Sequence, residues 1–210
     1  MIRVVAAEDD PLAQRAIRGY LAQVHDIELV DVTSDGVAAL ALVRDVRPDV
    51  LVTDLHMPGM DGIALLREVF RLPEPPRALC FTAVGDEPSM REALALGASG
   101  FLLKVDPPVL LVQAIRSAYE GDALVSPKLT GQVLRGISRS GTRPRELTDA
   151  DVELLRLVGS GMDNADIGLA LHLAPSTVKT YVSRLLRKTN SRSRAQLAAR
   201  ANAWGLVRRN

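Results

Sequence analysis

The chain has 210 residues, with 26 Lys+Arg against 25 Asp+Glu for a formal net charge of +1, and a single cysteine. That length holds one medium domain or two small ones, each able to bury a core, and one cysteine excludes any intrachain disulfide framework. The near-neutral average conceals a split: residues 1–120 carry 11 Lys+Arg and 18 Asp+Glu, net −7, whereas residues 121–210 carry 15 and 7, net +8. Such asymmetry points to an acidic half and a half that meets a polyanion.

The chain opens MIRVVAAEDD, which meets acids too soon for a signal peptide, and no apolar run approaches the ~18 residues of a membrane span. A cytoplasmic protein with no membrane contact is expected. Strand-like and helix-like segments then alternate. Strands are predicted at Ile2–Ala7, Glu28–Thr33, Asp49–Thr53, Arg77–Thr82 and Gly100–Leu103, and helices at Pro11–Val24, Asp35–Val46, Gly62–Arg71, Glu87–Leu96 and Pro107–Glu120. Five βα repeats imply a five-stranded parallel sheet covered on both faces. Pro11 and Pro107/Pro108 sit at helix starts, Asp35 and Asp61 read as N-caps, and Gly97 as a helix-ending residue. Cys80 lies within an apolar strand pattern and reads as a buried, inert thiol. The last helix, PPVLLVQAIRSAYE, carries more apolar residues than one stripe needs; either it is generously buried or it keeps a face for another contact.

Residues 121–145 are broken by Gly and Pro and read as a linker, with a helix from about Pro127 to Ile137. From Leu147 the pattern is helical. Thr148 with Asp151 forms a variant capping box, and Leu154, Leu155, Leu157 and Val158 give the first core stripe. Asp163–Leu171 makes a short second helix with Ile167, Ala170 and Leu171 inward. A tight turn leads to a third helix from Pro175 to about Lys188, and Ser193–Trp204 supplies a fourth.

The chemistry-bearing residues fall at strand ends. Asp54 follows the apolar run Val50–Val52 and precedes the turn at Pro58–Gly59. A carboxylate at the tip of a central parallel strand stands where open α/β sheets bind ligands. Glu8, Asp9 and Asp10 follow the first strand, Thr82 the fourth and Lys104 the fifth. Crowded carboxylates repel unless a divalent cation sits among them, and an all-oxygen set with few protein ligands suits Mg²⁺. A metal-bound carboxylate beside a lysine is arranged to attack a phosphoryl group.

This set, an acidic pair, D-x-x-M-P-x-M-D-G, T-A and a late Lys in that order, resembles the receiver domain of two-component response regulators over residues 1 to about 120. The resemblance implies a flavodoxin-like, doubly wound α/β fold. It makes Asp54 the phosphoacceptor, with Glu8, Asp9, Asp54 and the backbone carbonyl of His56 holding Mg²⁺. Thr82 and Lys104 would contact the phosphoryl oxygens, and Phe101 would be the aromatic switch. Glu8 stands where Asp is common in the family.

The third of the C-terminal helices carries Val178, Val182, Leu185 and Leu186 at core spacing. Thr177, Lys179, Thr180, Ser183, Arg184 and Arg187 lie on the other face. Two short helices joined by a tight turn, the second longer and basic, make a helix-turn-helix. The T-V-K-T-x-V-S-R-L-L-x-K core, within a match over about residues 146–208, resembles the LuxR-type four-helix DNA-binding domain of NarL/FixJ-like regulators. By that resemblance Lys179, Thr180 and Ser183 face the major groove, while Thr177, Arg184 and Arg187 contact backbone. Tyr181 stands where His is frequent, and Ser183 where some relatives have Lys. The fourth helix, with Ala195, Leu197, Ala198, Ala201 and Trp204, is implied to pair with its twofold mate; Trp204 also reads simply as core.

The expected organisation is therefore a receiver at 1–120, a linker at 121–145 and a helix-turn-helix domain at 146–210. The expected function is a response regulator, not an enzyme, which takes a phosphoryl group from a sensor histidine kinase onto Asp54, forms a homodimer and binds double-stranded DNA. Two rivals remain at this level: a regulator whose receiver binds a protein or ligand without phosphorylation, and a phosphatase working through an aspartyl intermediate. The second is disfavoured because His56 occupies the position where such phosphatases carry a second Asp.

Overall fold

The computed structural model describes residues 1–83, 85–129 and 147–207. Most of the helix expected from Pro127 therefore lies outside the described residues, although 127–129 are helical. The first part alternates β1 (Ile2–Ala7), α1 (Pro11–Leu21), β2 (Ile27–Thr33), α2 (Gly36–Val46), β3 (Val50–Thr53), α3 (Gly62–Val69), β4 (Arg77–Thr82), α4 (Glu87–Leu96), β5 (Gly100–Leu103) and α5 (Pro108–Glu120). Asp10, Asp35, Asp61 and Asp86 cap the first four helices through their side chains. Each short carboxylate takes a backbone N–H that has no partner within the helix. Gly97 and Gly121 end α4 and α5 in the left-handed region, which glycine reaches without a Cβ clash.

All strands pair in parallel, in the order β2-β1-β3-β4-β5-β6. The sheet thus has six strands where the sequence predicted five. The additional β6 is Leu124–Val125, within the segment expected to be linker. Two residues are too few to show a period of two, so the alternation that reveals longer strands cannot reveal this one. Its position is set from outside: Leu124 pairs with Gly100 and Val125 with Phe101 on β5. A methyl group at Gly100 would overlap the Leu124 carbonyl, so the missing side chain there is what lets β6 close in.

One face of the sheet packs on α1 and α5 through Val4, Ala6, Ile17, Val52, Leu79, Leu111 and Ile115. The other packs on α2 and α3 through Val5, Leu40, Val43, Leu51 and Leu65, and towards β5 on α4 through Cys80, Met90, Leu94 and Phe101. Runs buried on both faces explain the continuous apolar strands. Cys80 is buried as expected, and burial pushes its thiol up. Val109 on α5 is 59% exposed, so the apolar surplus of that helix is covered only in part.

The second part has α6 (Asp149–Gly159), α7 (Asn164–Leu171), α8 (Pro175–Lys188) and α9 (Arg194–Ala203). The Thr148–Asp151 capping box is present in both directions. Leu154, Leu155, Val158, Ile167, Val178, Val182, Leu185, Leu197 and Ala201 form the core, with Leu157, Leu171, Leu186 and Trp204 packed at its edge. Ala170 is not inward as expected but exposed; Gly168 is buried instead. A Cβ on Gly168 would come within 2.7 Å of the Leu173 carbonyl, so the tight turn closes over that glycine.

The two parts meet where the N-terminus of α9 approaches the C-terminus of α4. Gln196 donates through Nε2 to the Ala95 carbonyl at 2.7 Å, Ser193 Oγ to Ala98 O at 2.8 Å, and Arg192 Nη1 to Leu96 O at 3.4 Å. Carbonyls in the last turn of a helix lack intrahelical partners, and here Gln196 and Arg192 supply them to Ala95 and Leu96, while Ser193 meets Ala98 just beyond the helix. Arg192 also lies 5.4 Å over the Phe70 ring, and Ala195 and Ala199 pack against the cluster around α4 and β5.

Candidate functional site

The strand order reverses between β1 and β3, so the helices that follow these strands lie on opposite faces and leave a crevice at their carboxyl ends. Glu8 follows β1 and Asp54 follows β3, where Asp54 N donates to Ala7 O at 2.9 Å. Gly62 lets the start of α3 close behind this strand end: a Cβ there would stand 2.7 Å from Leu55 Cα and overlap the Asp54 carbonyl. Thr82 ends β4, and Lys104 follows β5 with its N–H bonded to Thr82 O at 2.9 Å. The four predicted side chains therefore converge because four parallel strands end at one level.

The Lys104 ammonium donates to Asp54 Oδ2 at 2.6 Å and to Glu8 Oε1 at 2.7 Å. Glu8, Asp54 and Thr82 are all buried. Burial pushes the Glu8 carboxyl above its ordinary value, although Lys104 pulls the other way. Burial also works against the charge on Lys104, but the hydrogen bonds to Asp54 and Glu8 hold its ammonium above the ordinary value. Glu8 Oε2 is buried without a hydrogen-bond partner, and an anionic oxygen left this way calls for a cation. Carboxylate oxygens of Glu8, Asp9 and Asp54 lie within 4.8 Å of one another. A hard divalent ion fits such an oxygen set. The His56 imidazole is turned away, its Nε2 3.3 Å from Asp86 Oδ2 at the start of α4, while its N–H donates to Asp54 Oδ1 at 3.1 Å.

Phe101 is 1% exposed and sits in the cluster with Leu55, Ala98, Leu103 and Leu129. It is thus buried under the start of the linker in this structure. A switch that begins with its ring in solvent does not describe this state.

On α8, Lys179, Thr180, Ser183, Arg184 and Arg187 are exposed and Thr177 is half-buried. Most of its cations are occupied within the protein. Lys179 Nζ is 2.8 Å from Glu120 at the end of α5, Lys188 Nζ is 2.5 Å from Asp151, and Arg184 lies 3.5 Å from Asp151 and over the Tyr181 ring. Arg187 makes no ion pair among the described residues. Near by, the buried Arg194 bridges the two parts, with Nη1 3.2 Å from Asp122 Oδ1 and 2.9 Å from Asn164 Oδ1.

Sequence reasoning missed Glu120, Asp122, Gln196 and Arg194. Only Gln196 left a signal, the S-x-x-Q pattern of a helix start at Ser193. The contacts across to Ala95 and Asp122 join residues 101 and 72 positions apart and have no local signature.

Residues 4–116 match the family model described as the response regulator receiver domain, and residues 145–201 match that of bacterial regulatory proteins of the luxR family. The chain is 32% identical to the transcriptional regulatory protein LiaR of Bacillus subtilis, over 99% of this chain and 100% of that one. It is 34% identical to the protein named "Probable transcriptional regulatory protein NarL" of Mycobacterium tuberculosis, over 95% and 93%. Among solved structures it resembles the response regulator ChrA of a heme-sensing two-component system, with a TM-score of 0.54 and 29% identity over 97% of this chain and 98% of that one. No helix among the described residues is long and apolar enough to cross a membrane.

Proposed function

This chain belongs to the response regulators that join a receiver domain to a LuxR-family DNA-binding domain and regulate transcription, and on that premise we propose that Asp54 is its phosphoacceptor. The observation that carries the proposal is the half-buried Lys104 ammonium bonded to both Asp54 and Glu8 at the strand-order reversal. An Asp54 oxygen attacks the phosphorus of the phosphodonor, a sensor histidine kinase being the partner that the receiver implies. The bond from phosphorus to the donor breaks, and the leaving group departs with the electron pair. Lys104 then neutralises charge on the transferred oxygens, and the Thr82 hydroxyl donates to one of them. Glu8, Asp9, Asp54 and the His56 backbone carbonyl would hold Mg²⁺, which when bound supplies charge neutralisation between the carboxylates and the incoming phosphoryl group. The chain assists only its own phosphorylation and dephosphorylation.

Residues 1–120 act as the receiver, 121–145 as the connection, and 146–210 as the output domain. Lys179, Thr180 and Ser183 face base edges in the major groove of double-stranded DNA; Thr177, Arg184 and Arg187 meet phosphates. The acyl phosphate adds roughly −1.5 to −2 charge at neutral pH. Thr82 and Lys104 gather around it, Phe101 shifts, and homodimerisation on DNA follows in the cytoplasm.

Acetyl phosphate with Mg²⁺ is expected to load one phosphoryl group per wild-type chain and none on Asp54→Asn. Undiminished labelling of that variant would move the acceptor elsewhere. Continuous release of phosphate from small phosphate esters would instead favour a phosphatase.

A further inference from the structure

We propose that Leu129, held beside β5 by β6, is the positioning residue through which the receiver's state reaches the output domain. This rests on the reading of Asp54 as phosphoacceptor and of Thr82 and Phe101 as the groups that respond.

The segment after α5 is tied to the switch strand by backbone. Leu124 pairs with Gly100 and Val125 with Phe101, and Ser126 N donates to Phe101 O at 2.7 Å. Leu129 N then bonds Ser126 O at 2.9 Å, which begins a helical turn and aims the leucine back at the receiver. Its side chain is 3% exposed, within the same cluster as Met90, Leu94, Phe101 and Leu103. It also covers Gly85 so closely that a methyl group there would overlap Leu129 Cδ2.

Gly85 is three residues beyond Thr82, and Phe101 is the middle of the strand to which β6 clings. Leu129 therefore rests on both elements that carry the phosphoryl-sensing groups, and a packed core has two arrangements rather than a continuum. A two-residue strand with few backbone bonds lies at the low end of local stability, so small movements of Gly85 or Phe101 suffice to displace it. On the other side of β6, Asp122 faces Arg194 of the output domain at 3.2 Å. Undocking of 124–129 thus loosens the output domain at the point where its connection begins.

The test compares full-length wild type, Leu129→Ala, Leu129→Met and Gly85→Ala, each with and without beryllofluoride and Mg²⁺. The DNA is a duplex selected in vitro by the beryllofluoride-treated wild-type protein. Wild type is expected to bind more tightly with beryllofluoride by a factor within the ~5–150-fold usual for coupled sites. Leu129→Ala should bind without beryllofluoride to within about threefold of the activated wild type, and beryllofluoride should add less than about twofold. Leu129→Met, which keeps the volume, should restore the wild-type ratio. Gly85→Ala displaces the leucine from the opposite side and should behave as Leu129→Ala does. Both uncoupled variants should still take one phosphoryl group from acetyl phosphate. A wild type that responds, beside Leu129→Ala and Gly85→Ala that respond by the same factor, overturns the proposal and leaves the Asp54 reading intact. A weaker basal affinity in both variants would mark Leu129 as merely structural. A wild type that neither takes phosphate nor responds overturns both readings.

Discussion

Gln196→Glu separates the stability of the output domain from its docking on the receiver. Gln196 is the third residue of α9, with Ser193 as N-cap, and its Oε1 accepts from Arg192 N at 2.7 Å while its Nε2 donates to Ala95 O. A glutamate keeps the first bond. It also converts the helix start into a Ser-x-x-Glu capping box, with a negative charge at the positive end of the helix, so α9 itself should be no less stable. What it loses is the bond to Ala95, and it turns an anionic oxygen toward the negative C-terminal end of α4. Ala95 is exposed, so water can replace the lost donor, and the net loss is that of an ordinary hydrogen bond, about 0.5–1.5 kcal/mol or roughly 2–13-fold in the ratio of docked to undocked molecules. Small-angle scattering of the unphosphorylated protein should show a larger radius of gyration. Lys179, no longer held near Glu120, should bind DNA more tightly, and the melting of the helical domain should be unchanged. A variant as compact as wild type, with the same DNA affinity, would refute the view that the α4 cap holds the two parts together.

Gly62→Ala should destabilise the receiver by about 3 kcal/mol in urea unfolding, because the added methyl meets the Asp54 and Leu55 backbone, which cannot turn aside as a side chain can. Unchanged stability would mean that α3 can retreat from the strand end. Lys104→Met leaves the Glu8 and Asp54 carboxylates facing one another, and without metal it should lose about 3 kcal/mol. Mg²⁺ at about 100 times its Kd returns roughly 2.7 kcal/mol, and the thermal shift with Mg²⁺ should be larger in this variant than in wild type, where Lys104 already offsets part of the carboxylate charge. Equal shifts would argue against a cation at these carboxylates. Burial alone would raise the Asp151 carboxyl, yet hydrogen bonds from Lys188 and Thr148 bring it below its ordinary 3.8. Its folded form binds fewer protons than the unfolded one, so its contribution to stability is present above that value and is lost as pH falls through the folded pKa. Thermal unfolding below about pH 4 should fall less steeply for Asp151→Asn than for wild type.

The bounds of β1, β4, α4 and β5 were legible from periodicity and punctuation, since local apolar runs and Asp, Pro and Gly residues at their ends decide them. The convergence of Glu8, Asp54, Thr82 and Lys104 was legible as well. Parallel strands joined by crossovers put every strand's carboxyl end on one side, so order along the chain fixes proximity in space. Helix ends were less legible: Val24 and Arg71 fall outside α1 and α3, where Ala22 and Phe70 close the helices earlier. The expectation for Ala170 failed because hydrophobicity cannot tell which small residue a tight turn will bury, and backbone approach selected Gly168.

What the sequence by itself determined is the receiver fold with its strand-end residues, the helix-turn-helix and the charge split between them, because each rests on the local pattern of the chain or on a topology that repeats. Only the tertiary structure decided that β6 extends the sheet, that Leu129 covers Gly85, and that Lys179 and Arg194 meet acids at the end of α5. Those contacts pair one or two residues with partners far along the chain, and a single distant pair has no period, cap or turn by which to announce itself.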